Sequence, residues 1–186
     1  SGFIGGLYRW FSVYWGAGTY TQLACSIATI LAGLMAAGVA AQNGADVILF
    51  EKNEKTGRKI LITGKGRCNF TNLKQWNEFS SHIHPKPNAL KAAFHNMTSE
   101  KMIDFLEEHG LETVVERGDR AFPVSHLASD VVDALLRAAE GVGAKVLCGK
   151  EVTKVLRNAQ DDTCENQGFE IHCADGSSYI CKKLII

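Results

Sequence analysis

This sequence carries no surplus of charge. Its 20 lysines and arginines balance 20 aspartates and glutamates, and its pI is about 7.0. No whole-molecule field draws it toward nucleic acid or an anionic membrane, so neither partner is expected. Paired cysteines are missing too. Cys25, Cys68, Cys148, Cys164, Cys173 and Cys181 form no C-x-x-C pair and no framework spacing. They read as reduced thiols of a cytoplasmic protein. The sequons Asn69-Phe70-Thr71 and Asn96-Met97-Thr98 carry little weight without a secretory route. There is no internal repeat, Walker loop, Ser-His-Asp order, zinc spacing or RNA-binding aromatic pattern. His82-Ile83-His84 has no thiol or carboxylate cluster near it in sequence, so a flexible loop is expected there and no metal.

Charge is also absent locally. No Asp, Glu, Lys or Arg lies between Arg9 and Asp46, and Leu23 to Ala41 is an uncharged run of 19 residues. That length approaches a bilayer span. Its make-up is mostly Ala, Gly, Ser and Thr, which favours a buried small-residue helix, with membrane association as the alternative. Residues 1–22 are rich in glycine and aromatics without a clean period, and a loosely attached arm is expected.

The chain's 46% hydrophobic and 22% charged residues suit a globular α/β domain. Ala32 to Gln42 has helical composition and stops at Asn43-Gly44; Asp46 to Glu51 then reads as a strand buried on both faces. Helix, glycine stop and apolar strand make half of a βαβ unit. Further helices are expected over Asn88–Asn96, from Thr98 to Gly110, and over Leu127–Glu140. Strands are expected at Glu112–Glu116, Ala144–Cys148, Val152–Arg157, Gly168–Cys173 and Ser178–Cys181, with a turn at Asp175-Gly176. Leu184 to Ile186 should begin one more buried strand. The central sheet would be parallel, and a small β-meander would cover Val152 to Cys181.

What is present in excess is a loop. EKNEKTGRKILITGKGRCNFTN, Glu51 to Asn72, follows the apolar strand and crowds glycines and cations together. An acid at that strand end suits ribose hydroxyls, so Glu51 is a candidate. Glycines let a backbone approach a diphosphate and aim N–H groups at it. Arg58, Lys59, Lys65 and Arg67 could neutralise phosphates. A solvated basic loop is the plainer reading, and spacing alone leaves both open.

The wording of the loop goes further. Glu51-x5-Gly57-Arg58-Lys59, followed by Thr63-Gly64-Lys65-Gly66-Arg67-Cys68-Asn69-Phe70-Thr71-Asn72, resembles the BaiN/YhiN-like (aminoacetone-oxidase-like) FAD-dependent oxidoreductases. Arg117 to Val124 and Ala128 to Leu135 match a second block of that family, and the resemblance runs from about Ala32 to Ile186. It implies a Rossmann-like FAD-binding domain of the two-dinucleotide-binding type over 32–186, incomplete, after an atypical segment 1–31. It implies that Glu51 binds the adenosine ribose and that Gly57 and Arg58 line the diphosphate. Gly64, Gly66, Arg67, Cys68 and Asn69 would lie along the flavin side, and Val152 would touch adenine through its main chain. Gly33, Lys52, Lys59 and Thr63 complete the implied cofactor-binding set. Cys68 is read as a packing or flavin-lining thiol, and Asp119 with Arg120 as a brace for the loop.

Two departures stand against the family pattern. Aligned on Gly33, the glycine-rich fingerprint has Ala28 and Ile30 where glycines are expected, and a rival at Gly16 and Gly18 has Thr21 in third place. A reading-frame or gene-model junction near Ala32 would explain this; a nucleotide sequence with no frame encoding a glycine-rich strand–turn there would exclude it. The family also continues past Ile186 with a substrate domain. The resemblance implies redox chemistry on a small organic substrate, hydride passing through FAD, with NAD(P)H or oxygen as redox partner. No acid or base is identified. A non-catalytic truncated product, membrane-associated through 23–41, and a plain NAD-binding domain are the alternatives.

Overall fold

The structure, a computed structural model, describes residues 32–158 and 168–185. The degenerate fingerprint, the N-terminal arm, Cys25 and the polar connection 159–167 lie outside the described residues. The described residues fall into two compact units, 32–47 with 57–145, and 48–56 with 146–158 and 168–185.

The first unit is mainly helical. Helix α1 covers the described residues 32–42, with Gly33 near its described start. Its end is a Schellman motif: Gly44 N–H donates to Ala41 O (2.9 Å) and Ala45 N–H to Ala40 O (3.1 Å), with Gly44 left-handed at φ 84°. The short helix α2 (Arg58–Leu61) leads into a 3-10 turn at Thr63–Gly66 and strand β2 (Thr71–Asn72). Helices α3 (Trp76–Ser81) and α4 (Lys91–Asn96) follow, separated by a 3-10 turn at Pro87–Leu90. Helix α5 (Ser99–Glu108) starts on the Thr98 cap, whose Oγ1 accepts from Lys101 N–H at 3.3 Å. It ends at left-handed Gly110, where Arg137 donates to the His109 carbonyl at 2.8 Å. A guanidinium there satisfies an orphan carbonyl and complements the helix dipole.

Strands β3 (Thr113–Glu116) and β4 (Arg120–Pro123) form a hairpin, and β2 adds to β4, giving an antiparallel sheet in the order β2-β4-β3. Helix α6 (Ala128–Gly141) supplies the main apolar face, burying Val131, Val132, Ala134, Leu135 and Ala139. The period predicts this face except at Leu136, which is half-buried while Ala134 is fully buried. Leu34, Ile60 and Leu106 join it in the core. Each such aliphatic contributes about 1.5–3 kcal/mol by leaving water. Gly38 lets α1 approach α6, since a Cβ there would sit 3.4 Å from Ala139 Cα.

The second unit is β-rich. Strand β1 (Ile48–Phe50) pairs with β5 (Lys145–Leu147). Lys145 N–H donates to Val47 O, both counted with the first unit, and Glu51 N–H to Leu147 O within the second, each at 2.9 Å, so the two strands advance in the same direction. Strands β6 (Val152–Asn158), β7 (Gly168–Cys173) and β8 (Ser178–Cys181) make the expected antiparallel meander. Phe50 packs edge-on against Tyr179, centroids 4.8 Å apart.

Two expectations change. The Asp46–Glu51 segment is not buried on both faces, for Ile48 is 38% exposed. Leu184 and Ile185 form no strand, and Ile185 is 59% exposed. An apolar run becomes a strand only where its backbone finds a ladder. Among the described residues no helix is long and apolar enough to cross a membrane.

Candidate functional site: the glycine and arginine loop

The loop Gly57–Asn72 is an unusual piece of backbone. Gly57, Gly64, Lys65, Gly66 and Cys68 all take positive φ, at 80°, 54°, 57°, 86° and 54°. Only glycine enters this region at no cost, so Lys65 and Cys68 are held there by their surroundings.

The glycines divide by what their missing side chains face. At Gly57 a Cβ would lie 2.5 Å from Val132 Cγ2, so this glycine lets the loop close onto α6. At Gly64 the nearest atom is Asn69 N at 3.4 Å, and at Gly66 it is Leu61 O at 3.9 Å. Gly64 is exposed and Gly66 half-buried, the nearest atoms to both are backbone rather than side chain, and Lys65 between them is exposed. Such a surface fits an anionic diphosphate: glycine backbone with no side chain over it and a cation beside it. Arg58 and Lys59 are exposed on α2, and Thr63 opens the 3-10 turn.

Arg67 has a protein partner already. Its Nη2 is ion-paired with Glu116 Oε1 and lies 2.9 Å from His126 Nδ1. The guanidinium sits 4.5 Å above the Phe122 ring. His126 Nε2 is 3.8 Å from the same Glu116 oxygen. Neither Glu116 nor His126 carries a signal in the linear sequence, and the matched block around Phe122 does not reveal its contact with Arg67; the hairpin register sets Glu116 and Phe122 beside the guanidinium. Cys68 is buried, 1% exposed, as a packing thiol.

The asparagines of RCNFTN tie the loop to the hairpin. Asn69 Nδ2 donates to Thr71 O and Ala121 O, each at 3.2 Å, and Phe70 N–H also donates to Ala121 O at 3.2 Å. Asn72 Nδ2 donates to Gly118 O at 2.8 Å, and Leu73 N–H to Asp119 O at 2.8 Å. Ser99 Oγ donates to Asn72 O at 2.5 Å and fixes β2 to the start of α5. The bracing expected of Asp119 and Arg120 is thus supplied by main-chain carbonyls. Asp119 itself takes φ 59° in the turn, and Arg120 Nε donates to Arg117 O at 3.1 Å.

In the second unit, Glu51 Oε1 accepts from Asn53 N–H at 2.9 Å and from Asn53 Nδ2 at 2.7 Å. A carboxylate offers about four acceptor sites, so capacity remains for hydroxyl donors. Lys52 is exposed beside it. Val152, 39% exposed, pairs with Cys173 at a register shift at the start of β6. At this same end of the meander, Lys150 pairs with Asp175 and donates to Ser177 Oγ at 3.1 Å. The Lys150 bond holds the Asp175 carboxyl well below the usual range, and Asp175 in turn raises Lys150. This pair shapes the turn, and the Lys150 N–H donates to the Glu51 carbonyl at 2.9 Å.

Comparison with known proteins places these features in a family. The chain is 32% identical over 155 residues to the ribosomal RNA dihydrouridine synthase of Escherichia coli, covering 83% of this chain and 36% of that protein. It is 29% identical over 156 residues to the 3-dehydro-bile acid delta(4,6)-reductase of Clostridium scindens, again covering 83% of this chain and 36% of that protein. It spans about a third of the length of these curated relatives, by those same shares of 36%. Among solved structures, THI4 of Thermovibrio ammonificans overlays on 80% of this chain and 49% of its own, with 12% identity and a TM-score of 0.48. The profile of the HI0933-like protein Rossmann domain matches residues 27–186, and the chain therefore belongs to that family of Rossmann-like, FAD-binding domains.

Proposed function

We propose that this chain is the flavin-holding portion of an oxidoreductase that saturates a carbon–carbon double bond conjugated with a carbonyl. The observation that carries the proposal is the pair of left-handed glycines, Gly64 and Gly66, with no side chain over either, flanking exposed Lys65. Bound FAD supplies hydride transfer; the protein supplies placement and charge. The open backbone of Gly64 and Gly66 would meet the diphosphate, and Lys65 would offset its charge. Gly57 and Cys68 keep the loop in shape from behind, through the close approach to Val132 and through burial. Arg67, neutralised by Glu116, contributes a rigid edge and little net charge. Glu51 would accept ribose hydroxyls with the capacity that Asn53 leaves.

The relatives' names support the reaction class. Dihydrouridine is uridine with two hydrogens added across a ring double bond next to a carbonyl, and a 3-dehydro Δ(4,6) acid has double bonds conjugated with a ring ketone. Both names describe addition of hydrogen to a polarised C=C. A nicotinamide nucleotide would supply the electrons for such a reduction, with oxygen as the competing acceptor. The free thiols Cys68, Cys148, Cys173 and Cys181 suit a cytoplasmic setting.

The test compares this chain with a version extended to the length of its relatives, each purified and assayed for bound flavin by visible absorbance. The extended protein should be yellow and should bleach with NAD(P)H in the absence of oxygen. Lys65→Glu should lower flavin uptake without moving the unfolding midpoint. An extended protein that stays colourless in added FAD would overturn the proposal.

A further inference from the structure

The 20 residues from Phe79 to Thr98 include no aspartate or glutamate. In a chain whose charges balance, this stretch is one-sided: it holds Lys86 and Lys91, both exposed, and three exposed histidines. The nearest upstream acid, Glu78, is taken up in an ion pair with Lys74.

The same stretch is built around aromatic rings that no core covers. Helices α3 and α4 contain no buried residue. Their rings pack instead on one another: Trp76 against Phe94 with centroids 5.3 Å apart, Phe79 against Phe94 at 5.1 Å, and Trp76 near His95 at 6.0 Å. Phe79 remains 37% exposed. Lys91, Phe94 and His95 stand at i, i+3 and i+4, so cation and rings share one helix face.

From this we infer that the α3–α4 segment is a docking surface for single-stranded RNA. Half-exposed rings take stacked bases, which have a π-face whatever their sequence, and unpaired lysines take the adjoining phosphates. A membrane surface needs a long amphipathic helix with a continuous apolar face. Here two six-residue helices turn their rings toward each other, which favours RNA. The inference rests on the proposed function only for its purpose, bringing a base of a polynucleotide to the reductase as its conjugated substrate. The binding itself requires no flavin.

The test uses the purified full chain and a labelled single-stranded RNA of roughly 16 nucleotides, a length of the order one binding fold covers. Anisotropy is read between about 50 mM and about 200 mM salt. Binding should weaken steeply with salt. Lys86→Glu with Lys91→Glu should lower the slope of log affinity against log salt by at least about 1, since each phosphate contact carries about 0.7. Phe79→Ala should weaken binding about tenfold through lost stacking. Circular dichroism checks that these exposed substitutions leave the fold intact. No RNA binding at the lowest salt, equal binding by all variants, or preferential sedimentation with phosphatidylglycerol vesicles would each overturn the inference. Flavin uptake is measured on the same samples, so a failure of the cofactor reading is seen separately.

Discussion

Gly57 has two physical reasons to be glycine: φ of 80° and a Val132 methyl 2.5 Å from where its Cβ would stand. Gly57→Ala should therefore destabilise the chain by roughly 2–5 kcal/mol, combining overpacking with left-handed strain. Gly44→Ala is the control, with φ of 84° and nothing within 4 Å, and should cost about 1–2 kcal/mol. Urea unfolding of both checks the difference. At Arg67, Glu116→Gln should change stability by less than about 1 kcal/mol, because both side chains are partly exposed, and the change should shrink in high salt. The sequence marks Gly57 as a required glycine. It cannot say whether the missing atom makes room for a valine or for a phosphate, because one absence serves both demands. Arg67 is legible as a cation, and its pairing is not, since Glu116 is 49 residues away and arrives by hairpin register.

Elements were readable where their signals are local. Thr98 caps α5, Gly110 and Gly44 end helices, and β7 and β8 have the bounds that alternation and the Asp175-Gly176 turn indicate. Thr98→Ala should cost about 1 kcal/mol in thermal or urea unfolding. The meander's turn should show in pH dependence. Asp175 is depressed below its ordinary value of 3.8, so its stabilisation is full above that pH and fades as pH falls. Lys150 is raised above 10.5, so its share is present below that pH and fades as pH rises. The protection factor of the turn amides, exchange corrected for its intrinsic pH dependence, should be flat between these limits and fall in acid. Asp175→Asn should remove the acid response. Strands β2 and β4 were not legible. Their ladder joins Thr71 to Ala121 and Asn72 to Arg120, a nonlocal pairing.

For the whole molecule, the zero net charge conceals segregation. The sum is correct, yet it averages an acid-free aromatic stretch with acidic surface elsewhere, so a polyanion partner was not suggested by the total. Only part of the parallel sheet was recovered. Of the expected strands, the Asp46–Glu51 and Ala144–Cys148 segments pair through Ile48–Phe50 and Lys145–Leu147, while 184–185 form no ladder. That is the limit of reading strands from apolar runs, since the run does not name its neighbour. Family membership was legible in the loop's wording. The hydrogen bonds from Asn69, Phe70, Asn72 and Leu73 to the carbonyls of residues 118, 119 and 121 carry an engineering consequence. The glycine-rich bend is not a portable cassette: grafted into a foreign scaffold without its hairpin, it would lose the template that sets its curvature and should collapse into ordinary coil.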